Sequence, residues 1–594
     1  MELTSKERIM EESRSPMYTP PYRTHPVHIF PWLAISTGHD ALAADLRQRL
    51  ADGDGPPRVV IDGFVGVQWD VFIGRLRDAL ARRDIRARWL STEECFLPPP
   101  QIDGILAPTL TDDPVFGRLF HGCLEDLWDA ERADAVRRDV AAYSEITIIY
   151  GYGASRLAPG GIQVYVDVPK DRGQELAAHG ARRNVGAAAP QAFDAMYKRL
   201  YFVDWPVLNR VKRALLPRID LFVDAASAES PAVVRGDALR RALHDLARRP
   251  FRVKPWFAPG PWGGQWMKER FGLPPEQPNY AWSFELIAPE NGILLGDGVH
   301  ALECSFDYLL WQETDAVLGV SVAARYGSYF PIRFDYLDTM DGANLSCQVH
   351  PRLDYIREEF GEPITQDETY YIVTCKPDAR VFLGLRDDVD MARFAADATA
   401  ARDEGRPFDI GDHVHSLPSA PHDLFLIPSG TVHCSGADNL VLEISATPYI
   451  YTFKIYDYLR SDLHGKLRHV HLDHAFASID ATRTASWVHT HLVPAPVALR
   501  EGPTWGEYCV GDNDRLFFAI HRLDFVDAIK DDTAGKFIAL NLVEGEQCEI
   551  LTDGNEPVGL RFAESIVIPA SVGALTLRNT GRIPCKVVKA FVKG

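Results

Sequence analysis

The first third of the chain alternates short apolar runs with segments of helical periodicity. The apolar runs lie at 58–62, 146–153, 163–168 and 217–224. Between the first two, apolar residues recur with helical spacing over 69–83. This alternation predicts an α/β domain with a parallel sheet over residues 27–250. Residues 1–26 are polar and rich in proline, which predicts a mobile lead-in.

After residue 250 the pattern changes to short β runs separated by Gly and Pro turns. Helical stretches near 306–326 and 352–360 interrupt these strands, which predicts a mainly-β sandwich or barrel with a helical insertion over 251–483. Residues 484–594 contain further β runs and predict a separate C-terminal β-barrel domain. The expected fold class is therefore multidomain, with an α/β domain followed by two mainly-β domains.

Composition and charge narrow the function. The chain has 594 residues and a net charge of -19, which disfavours a nucleic-acid binder because such a protein needs basic surface to displace counterions. Nine cysteines without a CxxC pair favour a reducing cytoplasm over a disulfide framework. The N-terminus lacks an apolar signal region, and no run approaches the roughly 18 apolar residues of a membrane span. We expect a cytoplasmic protein whose partner is a small molecule, with its oligomeric state left open.

Two histidines, a carboxylate and an amide have the spacing of a metal site on β-strands. Gln348 and His350 share one face of a predicted strand because side chains alternate along it. Glu368 opens another predicted strand, and His433 enters a strand after a Pro-Ser-Gly turn. These ligand types suit a borderline divalent ion, with zinc favoured and a position left for substrate. On spacing alone a strand histidine is more often a hydrogen-bonded core residue, so both interpretations stay open at this point.

The same region carries an ordered series of longer motifs. In chain order they are Trp262-Gly-Gly264, Ala281-Trp282, Phe330-Pro331, Leu345-Ser-x-Gln-x-His-Pro351, Glu368-Thr-Tyr-Tyr371, Ile427-Pro-Ser-Gly-Thr-Val-His433, Leu442-Glu443, Ile455-Tyr-Asp-Tyr458 and Gly465-Lys-x-Arg-x-x-His471. In this order they resemble the class I mannose-6-phosphate isomerases, over residues 255–594 and more weakly toward the end. The resemblance implies a pair of cupin β-barrels with a helical insertion. It also implies one zinc ion held by Gln348, His350, Glu368 and His433.

The implied activity is the interconversion of mannose 6-phosphate and fructose 6-phosphate through an enediol or enediolate. Such a reaction needs a cation near the developing oxyanion and a base for the proton that moves between C1 and C2. The resemblance implies an active-site carboxylate at Glu443 and a catalytic cation at Lys454. It also implies that Ser346 meets the phosphate and that Trp262 and Trp282 form pocket walls. Without the resemblance, Glu443 would be interpreted as a structural glutamate in an ion pair and Ser346 as an ordinary strand serine. The two tryptophans would be interpreted as core aromatics.

Three departures from the family pattern affect the positions expected to be cationic. Gln366 stands where lysine is usual two residues before the zinc glutamate, Lys454 replaces an arginine, and Asp335 stands where lysine is common. Candidate replacements for the lost charges are Arg333, Lys376 and Arg460. Two alternatives therefore stay open: another sugar phosphate as substrate, and a metal-binding cupin that senses a sugar phosphate without turnover.

Residues 58–250 resemble a P-loop kinase of the uridine-kinase type in their strand pattern. The segments that carry this resemblance are Val59–Gly63, Tyr150–Gly153, Val164–Lys170 and Pro217–Asp224. A phosphate-binding loop reads G-x-x-x-x-G-K-[ST], but residues 63–70 read Gly-Phe-Val-Gly-Val-Gln-Trp-Asp, without lysine, serine or threonine. The resemblance therefore implies a degenerate domain that binds a nucleotide weakly, serves assembly or covers the barrel. A bifunctional sugar kinase and isomerase is the alternative.

Overall fold

The computed structural model describes residues 21–53, 57–448, 450–462, 465 and 467–594. The predicted lead-in over 1–26 lies mostly outside these residues, and its last part is packed, since Tyr22 is buried and stacks on Phe271 with ring centroids 4.1 Å apart. The nine cysteines are all free thiols. Within the described part of the chain, no helix has both the length and the apolar character to cross a bilayer.

The N-terminal domain is an α/β unit. Its elements are β1 (Val27–Ile29), β2 (Ser36–Thr37), α1 (His39–Asp52), β3 (Arg58–Gly63), α2 (Trp69–Ala81), β4 (Arg88–Ser91), α3 (Pro99–Leu110), α4 (Ala130–Ala142), β5 (Thr147–Tyr150), α5 (Ala154–Leu157), β6 (Ile162–Asp167), α6 (Lys170–Ala178), α7 (Phe193–Arg199), α8 (Trp205–Leu215), β7 (Leu221–Asp224), β8 (Ala232–Arg235) and α9 (Gly236–Leu246). Strands β2 to β8 form one sheet in the order β2-β8-β7-β6-β3-β5-β4. The pairings from β7 to β4 are parallel, and the valine- and isoleucine-rich strands are buried, as expected for a sheet covered by helices.

The central domain is built on two antiparallel sheets. Its elements are β9 (Trp256–Ala258), α10 (Trp266–Arg270), β10 (Trp282–Leu286), β11 (Gly292–Gly296), β12 (Ala301–Ser305), α11 (Phe306–Gln312), α12 (Thr314–Leu318), α13 (Val320–Tyr326), β13 (Ile332–Asp338), β14 (Cys347–Val349), α14 (Leu353–Phe360), β15 (Glu368–Cys375), β16 (Arg380–Leu385), α15 (Met391–Glu404), β17 (Val414–Pro418), β18 (Leu424–Ile427), β19 (His433–Ser435), β20 (Asn439–Ala446), β21 (Phe453–Tyr456), α16 (Leu472–Ser478) and α17 (Ala485–His491). The sheet orders are β18-β15-β20-β13-β10-β9 and β17-β16-β19-β14-β21. Inward side chains of the two sheets meet, which is the arrangement that the predicted barrel requires.

The C-terminal domain repeats this architecture with a separate apolar core. Its strands are β22 (Val497–Gly502), β23 (Trp505–Gly511), β24 (Phe518–Phe525), β25 (Ala528–Asp532), β26 (Ile538–Glu544), β27 (Gln547–Thr552), β28 (Val558–Arg561), β29 (Ser565–Ile568), β30 (Ala574–Asn579) and β31 (Cys585–Val592). They form antiparallel sheets in the orders β22-β23-β24-β31-β26-β29 and β25-β30-β27-β28. Tyr336 of β13 donates a hydrogen bond to Asn541 of β26 (2.7 Å), so this domain packs on the outer face of the central barrel.

A strand pairing and an aromatic cluster are among the contacts that tie the N-terminal domain to the central barrel. Strand β1 lies outside the α/β sheet and pairs in parallel with β11 of the central domain, so this pairing crosses the predicted domain boundary at residue 250. Phe116 is buried against the barrel, with ring centroids 5.1 Å from Phe453 and 4.7 Å from His471. The α/β domain therefore packs beside β21, and this placement brings α7 to the candidate site.

Candidate active site

Three of the predicted metal ligands meet inside the central barrel. His433 opens β19 and His350 directly follows β14, whereas Glu368 opens β15 in the facing sheet. His350 Nε2 lies 2.9 Å from Glu368 Oε2, and His433 Nε2 lies 2.7 Å from Glu368 Oε1. Of the residues that the structure describes, only these form a group of three or more His, Cys, Asp or Glu side chains with ligand atoms within 4.8 Å of one another.

Hydrogen bonds to the backbone fix which nitrogen of each imidazole faces the carboxylate. His350 Nδ1 lies 3.2 Å from the carbonyl oxygen of Tyr451, and His433 Nδ1 lies 2.8 Å from that of Thr431. A carbonyl oxygen can only accept, so each Nδ1 donates and each Nε2 keeps its lone pair in the neutral ring. Two lone pairs and a carboxylate therefore point to one place, as in proteins whose histidines bind a metal.

The Glu368 carboxylate supplies the negative charge of this group. Burial alone would raise its pKa, but His350 and His433 hold that pKa well below its usual range. Glu368 Oε1 contacts His433, yet no donor in the described residues is aligned to form a hydrogen bond with it. A buried carboxylate oxygen without a donor is costly, and a cation at this point would satisfy it. The group therefore fits a divalent ion with nitrogen and oxygen ligands, such as zinc.

Gln348, the fourth predicted ligand, lies beside the triad. In the sheet register it stands between His433 on β19 and Lys454 on β21. Its Nε2 is 3.3 Å from His433 Nε2, and its Oε1 accepts a hydrogen bond from Ser346 Oγ (3.1 Å). Half a turn about the last side-chain bond exchanges the two ends of the amide and would aim the oxygen at the triad. Ser346 is therefore placed to orient Gln348.

A second buried carboxylate, Glu443, is linked to the triad through Gln366. Gln366 Nε2 donates to Glu368 Oε2 (2.9 Å) and to Glu443 Oε1 (3.4 Å). Arg333 Nη2 also donates to Glu443 Oε1, and Ser445 Oγ donates to the same oxygen (2.9 Å). Burial raises the pKa of Glu443, with the Arg333 guanidinium acting in the opposite direction. Glu443 is thus a fixed carboxylate that takes up a proton more readily than an exposed glutamate does.

These groups lie at a cavity of about 240 Å³. The predicted residues that line it are Trp262, Trp282, Ser346, Gln348, Glu443 and Lys454. The two indoles meet edge to face, with ring centroids 4.7 Å apart. His350, Glu368 and His433 are buried beneath the lining and reach the cavity through Gln348 and Gln366. The structure therefore brings all the predicted site residues to one place, with apolar walls on one side and polar groups on the other.

Lys454 and Arg468 place positive charge at this cavity. Burial and the neighbouring Arg468 lower the pKa of Lys454 to about 8. Arg468 Nη1 lies 2.7 Å from Asp457 Oδ2. Arg468 belongs to the Gly465-to-His471 motif, but the motif alone does not predict that its side chain lines the cavity.

The expected replacements for the missing cations are only partly in place. Arg333 lines the cavity, as expected. Lys376 instead pairs with Asp438 (3.1 Å) on the surface, and Arg460 pairs with Asp457 (2.6 Å). Neither is among the residues that line the cavity.

The N-terminal domain contributes Tyr197 of α7 to the cavity wall. Its hydroxyl donates to Glu290 Oε1 (3.1 Å), another lining residue. Asp194 on the same helix is close enough to Lys454 to favour its protonated form. No motif of the barrel points to these residues, because α7 lies in a different domain and reaches the cavity only through tertiary packing.

Comparison with protein families gives a match to the α/β domain. Residues 38–248 match the model of a family described as a domain of unknown function (DUF8485). The match covers most of the N-terminal domain and assigns no activity to it.

Comparison with curated proteins and solved structures finds mannose-6-phosphate isomerases among the relatives of this chain. Mannose-6-phosphate isomerase ManA of Bacillus subtilis is 28% identical over 238 residues, which are 40% of this chain and 69% of that protein. The mannose-6-phosphate isomerase of Streptococcus mutans serotype c is 24% identical over 321 residues, which are 52% of this chain and 89% of that protein. A crystal structure of the mannose 6-phosphate isomerase from Bacillus subtilis covers 58% of this chain and 99% of its own, at 20% identity and a TM-score of 0.46.

Proposed function

We propose that this chain is a metal-dependent aldose–ketose isomerase that interconverts mannose 6-phosphate and fructose 6-phosphate. The observation that carries the proposal is a His/Glu/His ligand group linked by one amide to a second buried carboxylate, at the floor of a small cavity. The names of the curated relatives from Bacillus subtilis and Streptococcus mutans support the choice of substrate.

A zinc ion would be held by His350, Glu368, His433 and the amide oxygen of Gln348. When bound, a divalent ion supplies positive charge close to the oxyanion that develops during proton removal. The chain itself prepares this site, because the backbone carbonyls fix the imidazole tautomers and Ser346 restrains Gln348.

Glu443 is the proposed carrier of the proton between C1 and C2. Burial raises its pKa, which makes the carboxylate a better proton acceptor than an exposed glutamate. Arg333 and Ser445 hold its Oε1 atom, which leaves Oε2 as the oxygen to face the sugar. Gln366 keeps this carboxylate at a set distance from Glu368.

Lys454 and Arg468 are the proposed partners of the substrate phosphate. Lysine offers a point charge, whereas arginine adds a planar fork that matches phosphate oxygens. Trp262 and Trp282 would pack against the apolar face of the sugar ring. A cavity of about 240 Å³ suits a single small metabolite.

Sugar-kinase activity is not part of this proposal. At the end of β3, Asp62 accepts hydrogen bonds from the backbone of Gly63 (2.8 Å) and Gly153 (2.9 Å). Phe64, the next residue of the loop, packs on Lys212, whose Nζ lies 4.0 Å from the ring centroid. Residues 63–70 of this loop include neither the lysine nor the serine or threonine hydroxyl that transfer of a phosphoryl group from ATP requires. We expect no ATP-dependent phosphorylation of sugars by the full chain.

A coupled assay with several aldose 6-phosphates tests the isomerase proposal. The full-length protein is loaded with zinc, its metal content is measured, and fructose 6-phosphate is detected. We expect conversion of mannose 6-phosphate that disappears after chelation and returns with zinc. If protein that holds stoichiometric metal converts none of the aldose phosphates, the chain is a sugar-phosphate-binding cupin without turnover.

A further inference from the structure

We propose that the N-terminal domain contains a second small-molecule site, which binds a phosphorylated sugar or nucleotide through Arg182. The site is a cavity of about 420 Å³ in the α/β domain. It shares no lining residue with the cavity of the proposed isomerase site, so it does not depend on that function.

The cavity lies at the carboxyl ends of parallel strands. Ser91 ends β4, Tyr150 ends β5, and the first turn of α2 follows β3, and all three segments line the cavity. In open α/β sheets, ligands bind in the crevice outside the carboxyl ends of the strands. The location is therefore the one at which such a sheet can form a binding site without disturbing its core.

Arg182 is the group that points to an anionic ligand. It lines the cavity at 8% exposure, and its Nε and Nη2 atoms have no hydrogen-bond partner in the described ranges. Gly66 and Gly173 make room for its guanidinium, since a Cβ at either position would come within 3.0 or 2.9 Å of Nη1. Asp204 favours the charged form of this guanidinium without forming a hydrogen bond to it, and a phosphate in the cavity would add a charged partner.

Two further features of the lining lack partners in the described structure. Asn184 is 2% exposed and donates through Nδ2 to Asp204 (2.8 Å), but its Oδ1 has no hydrogen-bond donor among the described residues. Helix α2 begins at Trp69 with Gln68 before it, and no side chain caps its N-terminus. Asn184 and the first turn of α2, whose N-terminus carries partial positive charge, therefore line the same cavity as Arg182.

Aromatic side chains form the remaining walls of the cavity and suit the ring of a sugar or a base. Trp69, Tyr150 and Tyr152 line the cavity, with the Trp69 ring 5.7 Å from that of Tyr152. Arg183 at the rim is already paired with Glu93 (2.6 Å). The lining thus offers one unpaired cation for a phosphate, one acceptor for a hydroxyl or amine, and aromatic faces for a sugar or base.

Isothermal titration of the full-length protein with mannose 6-phosphate and with AMP tests the site. We expect at least one probe to bind, with affinity about tenfold or more weaker in Arg182→Gln, because a hydrogen bond to a charged group is lost. The matched control Arg183→Gln should change affinity by less than about threefold, because Glu93 already neutralises that arginine. Which probe binds identifies the ligand as a sugar phosphate or a nucleotide.

The variant Lys454→Met separates this site from the isomerase cavity. Binding that depends on Arg182 should persist in Lys454→Met, whereas binding lost only in Lys454→Met belongs to the barrel. If Arg182→Gln does not fold, hydrogen exchange of the wild-type backbone at 68–72 is compared with and without each probe, and protection is expected. Three results would overturn the proposal. They are binding of neither probe to the wild-type protein, wild-type affinity in Arg182→Gln, and unchanged hydrogen exchange at 68–72.

Discussion

Arg333 and Glu443 form a buried ion pair at the floor of the central cavity. Arg333 Nε also lies 3.1 Å from Asp335 Oδ2, and the register of β13 and β20 places Asp335 directly opposite Glu443. The aspartate that stands where the isomerase family commonly has lysine thus holds the arginine that holds the candidate base. The positive charge on β13 is therefore carried by Arg333, two residues before Asp335.

Removing one imidazole should remove the metal. His433→Ala deletes one nitrogen ligand and leaves Glu368 with a single histidine partner, so we expect bound zinc to fall from about one ion per chain to near zero. Elemental analysis of the purified variant measures this. His489→Ala, which changes a histidine outside the barrel interior, should keep its metal. Stoichiometric zinc in His433→Ala would refute the ligand assignment.

Neutralising the second carboxylate should separate metal binding from turnover. Glu443→Gln keeps the shape of the side chain but cannot take up the substrate proton, so we expect kcat to fall about 10²- to 10⁴-fold. Zinc content should stay unchanged, because Glu443 is joined to the triad only through Gln366 in the described contacts. Glu556→Gln on the surface is the control. Turnover at the wild-type rate would exclude Glu443 from the mechanism.

The lowered pKa of Lys454 predicts an alkaline limb in the pH profile. Because this pKa is about 8, the ammonium that should bind phosphate is present below that pH and lost above it. We therefore expect kcat/KM to fall as pH rises through about 8. In Lys454→Arg the side chain stays charged, so this limb should disappear. Identical alkaline limbs in the two proteins would show that another group titrates.

The α/β domain should affect substrate binding through Tyr197. Tyr197→Ala removes a ring from the cavity wall and a hydrogen bond to Glu290, so we expect KM for the sugar phosphate to rise about tenfold. Tyr197→Phe keeps the ring and should have a smaller effect. Steady-state kinetics with both variants measures the difference. Unchanged KM in Tyr197→Ala would mean that substrate does not reach this wall.

Periodicity predicted much of the fold. The strands at 58–63 and 162–167 form the centre of the parallel sheet, and the helices near 306–326 and 353–360 interrupt the barrel strands as expected. The pairing of β1 with β11 could not be predicted, because a three-residue strand carries no periodic signal and its partner lies far along the chain.

The His/Glu/His group could be anticipated from the ordered series of motifs, although strand spacing alone left a core role for these histidines open. The cationic side could not be anticipated, because a lost lysine can be replaced from any neighbouring strand. Lys376 and Arg460 have the right charge but do not line the cavity, whereas Arg468, which pairs with the same Asp457 as Arg460, does line it. Tyr197 carries no sequence signal, since α7 reaches the cavity only through the packing of the α/β domain against the barrel.

Exchange of the C2 hydrogen tests the central claim most directly. Mannose 6-phosphate is incubated with the zinc-loaded full-length protein in D₂O and followed by proton NMR. Proton transfer through an enediol predicts deuterium at C2 of recovered mannose 6-phosphate, together with fructose 6-phosphate, and loss of both signals in Glu443→Gln. Metal-loaded wild-type protein that binds mannose 6-phosphate but neither exchanges the C2 hydrogen nor forms ketose would contradict the account.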